Sequence, residues 1–144
     1  MAVPGYVLRF PYPDRPSVRK VAMREREWSE FQGDIPARSQ SRLKLVVAEY
    51  CEDGPQDLNK TDFRFLKHYS REGSKVRMEE FKAPQVRLFG FCAEDEGTTT
   101  FFVTGSDLAK KQQQLNADRF EAAGREAVRV AKFLSRRAKQ AKGK

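Results

Sequence analysis

Lys75-Val76-Arg77-Met78-Glu79-Glu80-Phe81-Lys82, then Ala83-Pro84, then Gln85-Val86-Arg87-Leu88-Phe89-Gly90-Phe91-Cys92, decides how this chain folds. Two short runs joined by a brief Pro-containing break read as antiparallel neighbours, because so short a connection favours antiparallel pairing. A third run, Thr98 to Gly105, follows Glu94-Asp95-Glu96-Gly97 and completes an antiparallel meander. Side chains along a strand alternate between faces. Val86, Leu88 and Gly90 therefore share one face; Arg87, Phe89 and Phe91 share the other, which sets an arginine among aromatics.

Upstream of the meander, Leu43, Val46, Val47 and Tyr50 recur at i, i+3, i+4 and i+7, so Ser39 to Cys51 is predicted helical. Ser39 or Ser41 is placed to cap this helix, and Asp53-Gly54-Pro55 ends it. Asp57 to Thr61 reads as a polar loop, with Phe63, Phe65 and Leu66 packed beneath the sheet. Glu25 to Phe31 reads as a short helix and Val18 to Met23 as a strand. Prolines confine Tyr6 to Tyr12 to an edge or an arm. Beyond the meander, Phe120, Ala123, Ala127, Val130 and Leu134 repeat at helical spacing and predict a buried stripe. Arg125, Arg129, Lys132, Arg136 and Lys139 form a separate basic stripe on the same helix. The expected fold is α+β, with N-terminal helices packed on a small antiparallel sheet and a C-terminal helix closing it. Residues 1–17 read as an N-terminal arm, 18–135 as a single domain and 136–144 as a basic tail.

The chain has 144 residues, enough for one domain with one core. Its 28 Lys and Arg outnumber 20 Asp and Glu, for a formal net charge of +8. That excess attracts polyanions: nucleic acid first, then an acidic protein patch or an anionic membrane. No apolar run approaches the roughly 18 residues of a membrane span, and the N-terminus lacks a signal-peptide core. A cytoplasmic location without a membrane partner is expected. Cys51 and Cys92 form no CxxC and read as buried, inert thiols. One histidine, His68, supplies neither a catalytic pair nor a metal site, so neither metal nor cofactor is expected. There is no GxGxxG and no P-loop.

Taken in order, Arg77 to Lys82, Val86 to Phe91, Thr99 to Gly105 and Leu108-Ala109-Lys110-Lys111-Gln112 resemble the RelE/ParE superfamily of bacterial toxins, particularly its HigB-like, phage-derived branch. The resemblance extends from Met23 to Val130. It rests on an acidic–apolar–basic strand end, an arginine flanked by aromatics in the next strand, an apolar strand ending near a glycine, and paired lysines before a helix. It implies a RelE/ParE-like fold and the toxin of a type II toxin–antitoxin pair. Such a toxin is an endoribonuclease that cleaves mRNA without metal, free or on the ribosome. It inhibits translation and is neutralised by a cognate antitoxin protein. A gyrase-inhibiting toxin of the same superfamily is one alternative; a member that binds nucleic acid or protein without catalysis is another.

The resemblance also implies roles. Cleavage needs a base for the ribose 2′-hydroxyl, cations for the charged phosphorane, and an acid for the leaving 5′-oxygen. Arg87 matches the transition-state arginine, Lys82 the basic residue ending the preceding strand, and Lys110 or Lys111 the basic residue after the last strand. Lysine serves as a base when neighbouring cations and partial burial lower its pKa. Arginine stays charged and grips phosphate oxygens. Glu79 or Glu80 is an alternative base. The expected catalytic set is Arg87, Lys82, Lys111 and Glu80. Arg77, Lys110 and the helix cations Arg125, Arg129, Lys132 and Arg136 are expected to contact RNA.

Overall fold

The meander forms, but inside a wider sheet than the sequence suggests. The computed structural model describes residues 2–11, 18–108 and 116–142. In chain order its elements are β1 (Tyr6–Phe10), β2 (Arg19–Arg24), α1 (Glu25–Gly33), α2 (Ala37–Asp53), β3 (Phe63–Arg71), β4 (Ser74–Ala83), β5 (Val86–Asp95), β6 (Thr98–Asp107) and α3 (Ala117–Lys142). A single 3-10 turn, Pro55–Asp57, follows α2.

One six-stranded sheet runs in the order β1-β2-β6-β5-β4-β3. The strands β3 to β6 pair antiparallel with their sequence neighbours, and β1 pairs antiparallel with β2. The pair in the middle differs: β2 runs parallel to β6, with Val21 opposite Phe101 and Met23 opposite Val103. A parallel pair cannot be closed by a tight turn and needs a long crossover; here α1, α2 and the intervening hairpins supply it. The expected small antiparallel sheet of RelE/ParE type is thus corrected: the sheet has six strands and is mixed. It is wider because the arm residues Tyr6–Phe10 pair with β2, and because Phe63–Arg71 is a strand rather than a packed loop. The broader α+β class and the C-terminal helix hold.

Each sheet face carries a packed layer. Val21, Met23, Phe63, Phe81, Leu88 and Phe101 pack with Leu43, Val46, Val47 and Tyr50 of α2 on one side. Ala22, Val76, Met78, Phe89, Phe91 and Phe102 pack on the other with Phe120, Ala123, Ala127, Val130 and Leu134, the stripe read from helical spacing. The α2 helix starts after Pro36 without a side-chain cap. Ser39 instead donates to the Pro84 carbonyl at 2.6 Å, which ties the helix to the β4–β5 turn. The basic tail continues as helix through Lys142, and Arg137 pairs with Asp95 at 2.6 Å.

Gly90 marks where the sheet divides. The β4–β5 ladder ends at Glu79 opposite Gly90, whereas β5–β6 pairing continues to Asp95–Thr98 and β3–β4 pairing to Arg71–Ser74. Beyond Gly90 the meander therefore continues as two separate hairpins. A Cβ at Gly90 would lie 2.1 Å from the Phe102 carbonyl oxygen and 2.6 Å from the Phe101 ring. Only glycine permits that approach, beside a shift of register between Phe89 and Gly90.

Candidate nucleic-acid interface

Antiparallel register gathers three of the expected catalytic residues. Lys82 lies opposite Arg87, Arg87 opposite Asp107, and Glu80 opposite both Phe89 and, across β3, Arg64. Cross-strand partners share a face. Glu80 and Lys82 also keep the parity of Val76 and Met78, so Arg64, Glu80, Lys82, Arg87 and Asp107 form a row on the α3 side of the sheet.

Within that row Glu80 and Arg87 are buried and paired. Glu80 is fully buried and Arg87 is 4% exposed. Arg64 Nε donates to Glu80 Oε1 at 2.7 Å, and Arg87 Nη1 stands 3.6 Å from Glu80 Oε2. A carboxylate taken out of water is tolerated only with such partners. Lys82 is half-buried, and its backbone N–H donates to the Asp62 carbonyl at 2.8 Å. It also lines a cleft of about 390 Å³ with Arg42, Thr61, Asp62, Pro84 and Gln85. Asp62 clamps the Arg42 guanidinium there, accepting from Nη2 at 2.6 Å and from Nε at 3.3 Å. Lys110 and Lys111 lie outside the described residues.

Arg77 does not join the row. It has the opposite parity on β4, lies across from His68, and holds its guanidinium 3.9 Å over the Phe65 ring and 3.6 Å from Glu79. Phe65, expected beneath the sheet, is exposed. The helical basic stripe is largely neutralised. Arg125 pairs with Glu121 at 3.1 Å, Arg129 grips Glu126 with both Nε and Nη2 at 2.7 Å, and Lys132 reaches Glu72 at 2.7 Å. Arg136 is exposed and forms no ion pair with the described residues.

Two polar clusters were not singled out by sequence reasoning. In the first, Tyr6 donates to Glu126 at 2.7 Å, and Arg24 binds the buried Glu27 through two hydrogen bonds while standing 3.7 Å from Glu126. Burial alone would raise the Glu126 carboxyl; hydrogen bonds from Arg129 and Tyr6, with the charges of Arg129 and Arg24, outweigh it and hold this carboxyl low. In the second, the Tyr50 hydroxyl and Cys92 thiol lie 2.7 Å apart, with Arg19 Nη1 3.2 Å from the hydroxyl. Burial pushes the Cys92 thiol up to about 12, and Cys51 likewise to about 12. Burial also raises the neighbouring Glu79, against the lowering charge of Arg77. Cys51 is buried as the sequence reading expects, whereas Cys92 is only partly buried and lies against the Tyr50 hydroxyl and Arg19.

Among the described residues, no group of His, Cys, Asp or Glu side chains is disposed to hold a metal ion. Nor is any described helix long and apolar enough to cross a membrane. Comparison with protein-family models, curated protein sequences and solved structures finds no match for the chain.

Proposed function

We propose that this protein is the cytoplasmic toxin of a type II toxin–antitoxin pair, related by sequence to the HigB-like RelE/ParE toxins, and cleaves mRNA on the ribosome without metal. The observation that carries the reading is the pairing of Lys82 with Arg87 in a row that also contains Glu80 and Asp107. That row supplies cations and carboxylates at one strand end, the groups that intramolecular phosphodiester cleavage requires. The net charge of +8 supports an RNA partner.

In this reading the 2′-hydroxyl gives its proton to a carboxylate of the row, and its oxygen attacks the adjacent phosphorus. The P–O5′ bond breaks, the 5′-oxygen takes a proton, and the products are a 2′,3′-cyclic phosphate and a 5′-hydroxyl. Lys82, half-buried, meets the RNA first. Lys110 and Lys111 are assigned to the phosphate by the resemblance alone. Arg87 offers little surface and holds the charge of Glu80. That same burial favours a second reading, in which the row is structural and the protein binds RNA or an antitoxin without cutting.

Mapping RNA 5′-hydroxyl ends and DNA breaks after induction tests the proposal. Wild-type protein should generate new RNA ends, and Lys82→Gln at equal abundance should reduce them about 10²-fold, the scale of a lost acid–base or charge-stabilising group. DNA breaks without RNA ends would transfer the protein to the gyrase-inhibiting class. Binding with neither product would support the second reading.

A further inference from the structure

We infer that Phe65, His68 and Arg77 form a stacking platform for the unpaired bases of single-stranded RNA, on the sheet face opposite the Lys82–Arg87 row. The choice of RNA as occupant rests on the functional reading above; the surface itself rests on geometry. Strand β3 is one edge of the sheet. Near its start the face is covered, because Phe63 packs against Tyr50 of α2 with ring centroids 5.3 Å apart. The cover ends within two residues. Phe65 is 39% exposed and is the one aromatic among the large exposed hydrophobic side chains of the described residues.

A β-bulge then gathers the platform. With regular alternation, Phe65 and His68, three positions apart, would point to opposite faces. The register instead shifts between Phe65, opposite Glu79, and Lys67, opposite Met78, so His68 lands opposite Arg77. Phe65 and His68 thereby share a face, their rings meeting edge-on at 5.2 Å. Bulges re-aim side chains in this way and are common beside functional sites. Arg77 lies 3.9 Å over the Phe65 ring, its side chain 56% exposed. Lys75, opposite Ser70, continues the same face as another exposed cation. The nearby carboxylate, Glu79, is partly buried and engaged by Arg77.

Rings and a flat guanidinium with cations alongside match a phosphate chain whose bases are splayed out. Stacking tolerates any base, so the platform contributes affinity without sequence preference. A duplex keeps its bases stacked on each other and has none to offer.

The probe is a fluorescent 2′-O-methyl oligouridine, which lacks the attacking hydroxyl and so separates binding from cleavage. Wild-type protein should bind it. Phe65→Ala should weaken binding roughly 5- to 150-fold, the stacking contribution of one base. Phe65→Tyr should restore it, and Arg77→Ala should weaken it as well. Lys75→Gln should flatten the log–log salt slope by about 0.7, whereas Phe65→Ala should leave the slope unchanged. If folded Phe65→Ala and Arg77→Ala proteins both bind like wild type, the platform is overturned. It is also overturned if wild type ignores the single strand, or if Phe65→Ala loses only antitoxin binding. Binding that depends on Phe65 in a protein that cuts no RNA in cells retains the platform and removes the toxin reading. Cleavage with a neutral Phe65 does the reverse.

Discussion

Replacing Gly90 by alanine adds one methyl group at the point where the meander divides. The new Cβ would sit 2.1 Å from the Phe102 carbonyl oxygen, and 2.6 and 2.8 Å from two atoms of the Phe101 ring. Neither neighbour can retreat cheaply. Phe102 is fixed in the β5–β6 ladder opposite Phe91. The Phe101 ring is fully buried, wedged against Phe81 at 4.8 Å and against Tyr50 and Phe63 at 6.0 Å. Overpacking a close-packed interior costs about 1–3 kcal/mol, and a clash with backbone belongs at or above the top of that range. For a domain of this length, about 3 kcal/mol corresponds to a fall in Tm on the order of 10 °C. Gly33→Ala is the matched control, because nothing lies within 4 Å of its Cβ and it sits in α1. It should be neutral or stabilising by up to about 1 kcal/mol. Thermal unfolding of both variants by circular dichroism decides the matter. A Gly90→Ala midpoint within about 2 °C of wild type would refute the argument that this approach is rigid.

Other perturbations give distinct outcomes. Arg64→Met removes a hydrogen-bonded partner from the fully buried Glu80 and should cost about 2 kcal/mol in denaturant titration, below the usual loss for a buried pair because Arg64 is partly exposed. Adding Glu80→Gln should recover part of that loss; no recovery would mean that Glu80 is not the strained group. The Glu126 carboxyl, held low in the fold, contributes stability above the unfolded carboxylate pKa, and this is lost as pH falls through the lower folded value. Arg129→Gln should therefore flatten the acid limb of Tm against pH; parallel curves for variant and wild type would exclude this linkage. Cys51, buried and raised to about 12, should react slowly with iodoacetamide at neutral pH until denaturant is added. Fast native labelling of Cys51 would contradict its burial. The paired Arg129 and Lys132 should change the salt slope of RNA binding by less than about 0.7 when replaced by Gln, because each already has a carboxylate partner.

The α3 stripe was legible because five apolar residues keep a 3-4 spacing over its buried face, and nothing else competes for that pattern. The β4 and β5 strands were legible for the same local reason, and their turn fixed Lys82 opposite Arg87. Strand β3 was not. The extra residue at its bulge breaks the two-residue period, so Phe63, Phe65 and Leu66 read as irregular packing. The β2–β6 pair leaves no local mark, because parallel partners far apart in sequence are chosen by the closed sheet. The site divided along the same line. Glu79 and Glu80 stood equal in the sequence, and only the register puts Glu80 between Arg64 and Arg87. The ion pair of Lys132 with Glu72 joins residues separated by 60 positions, and helical spacing carries no trace of it.

The parallel β2–β6 pair also sets a timetable for synthesis. Val21 leaves the ribosome some 80 residues before its partner Phe101. At roughly 5–20 residues per second, that is a wait on the order of 4–16 s. Throughout it β2 can pair with β1, yet Val21, Met23 and the apolar side of α2 lack the central strand they pack with in the finished domain. A chain cut before Thr98 has the outer strands of the sheet without the strand that joins them. The sheet can close only once the β6 residues up to Val103 have joined β2.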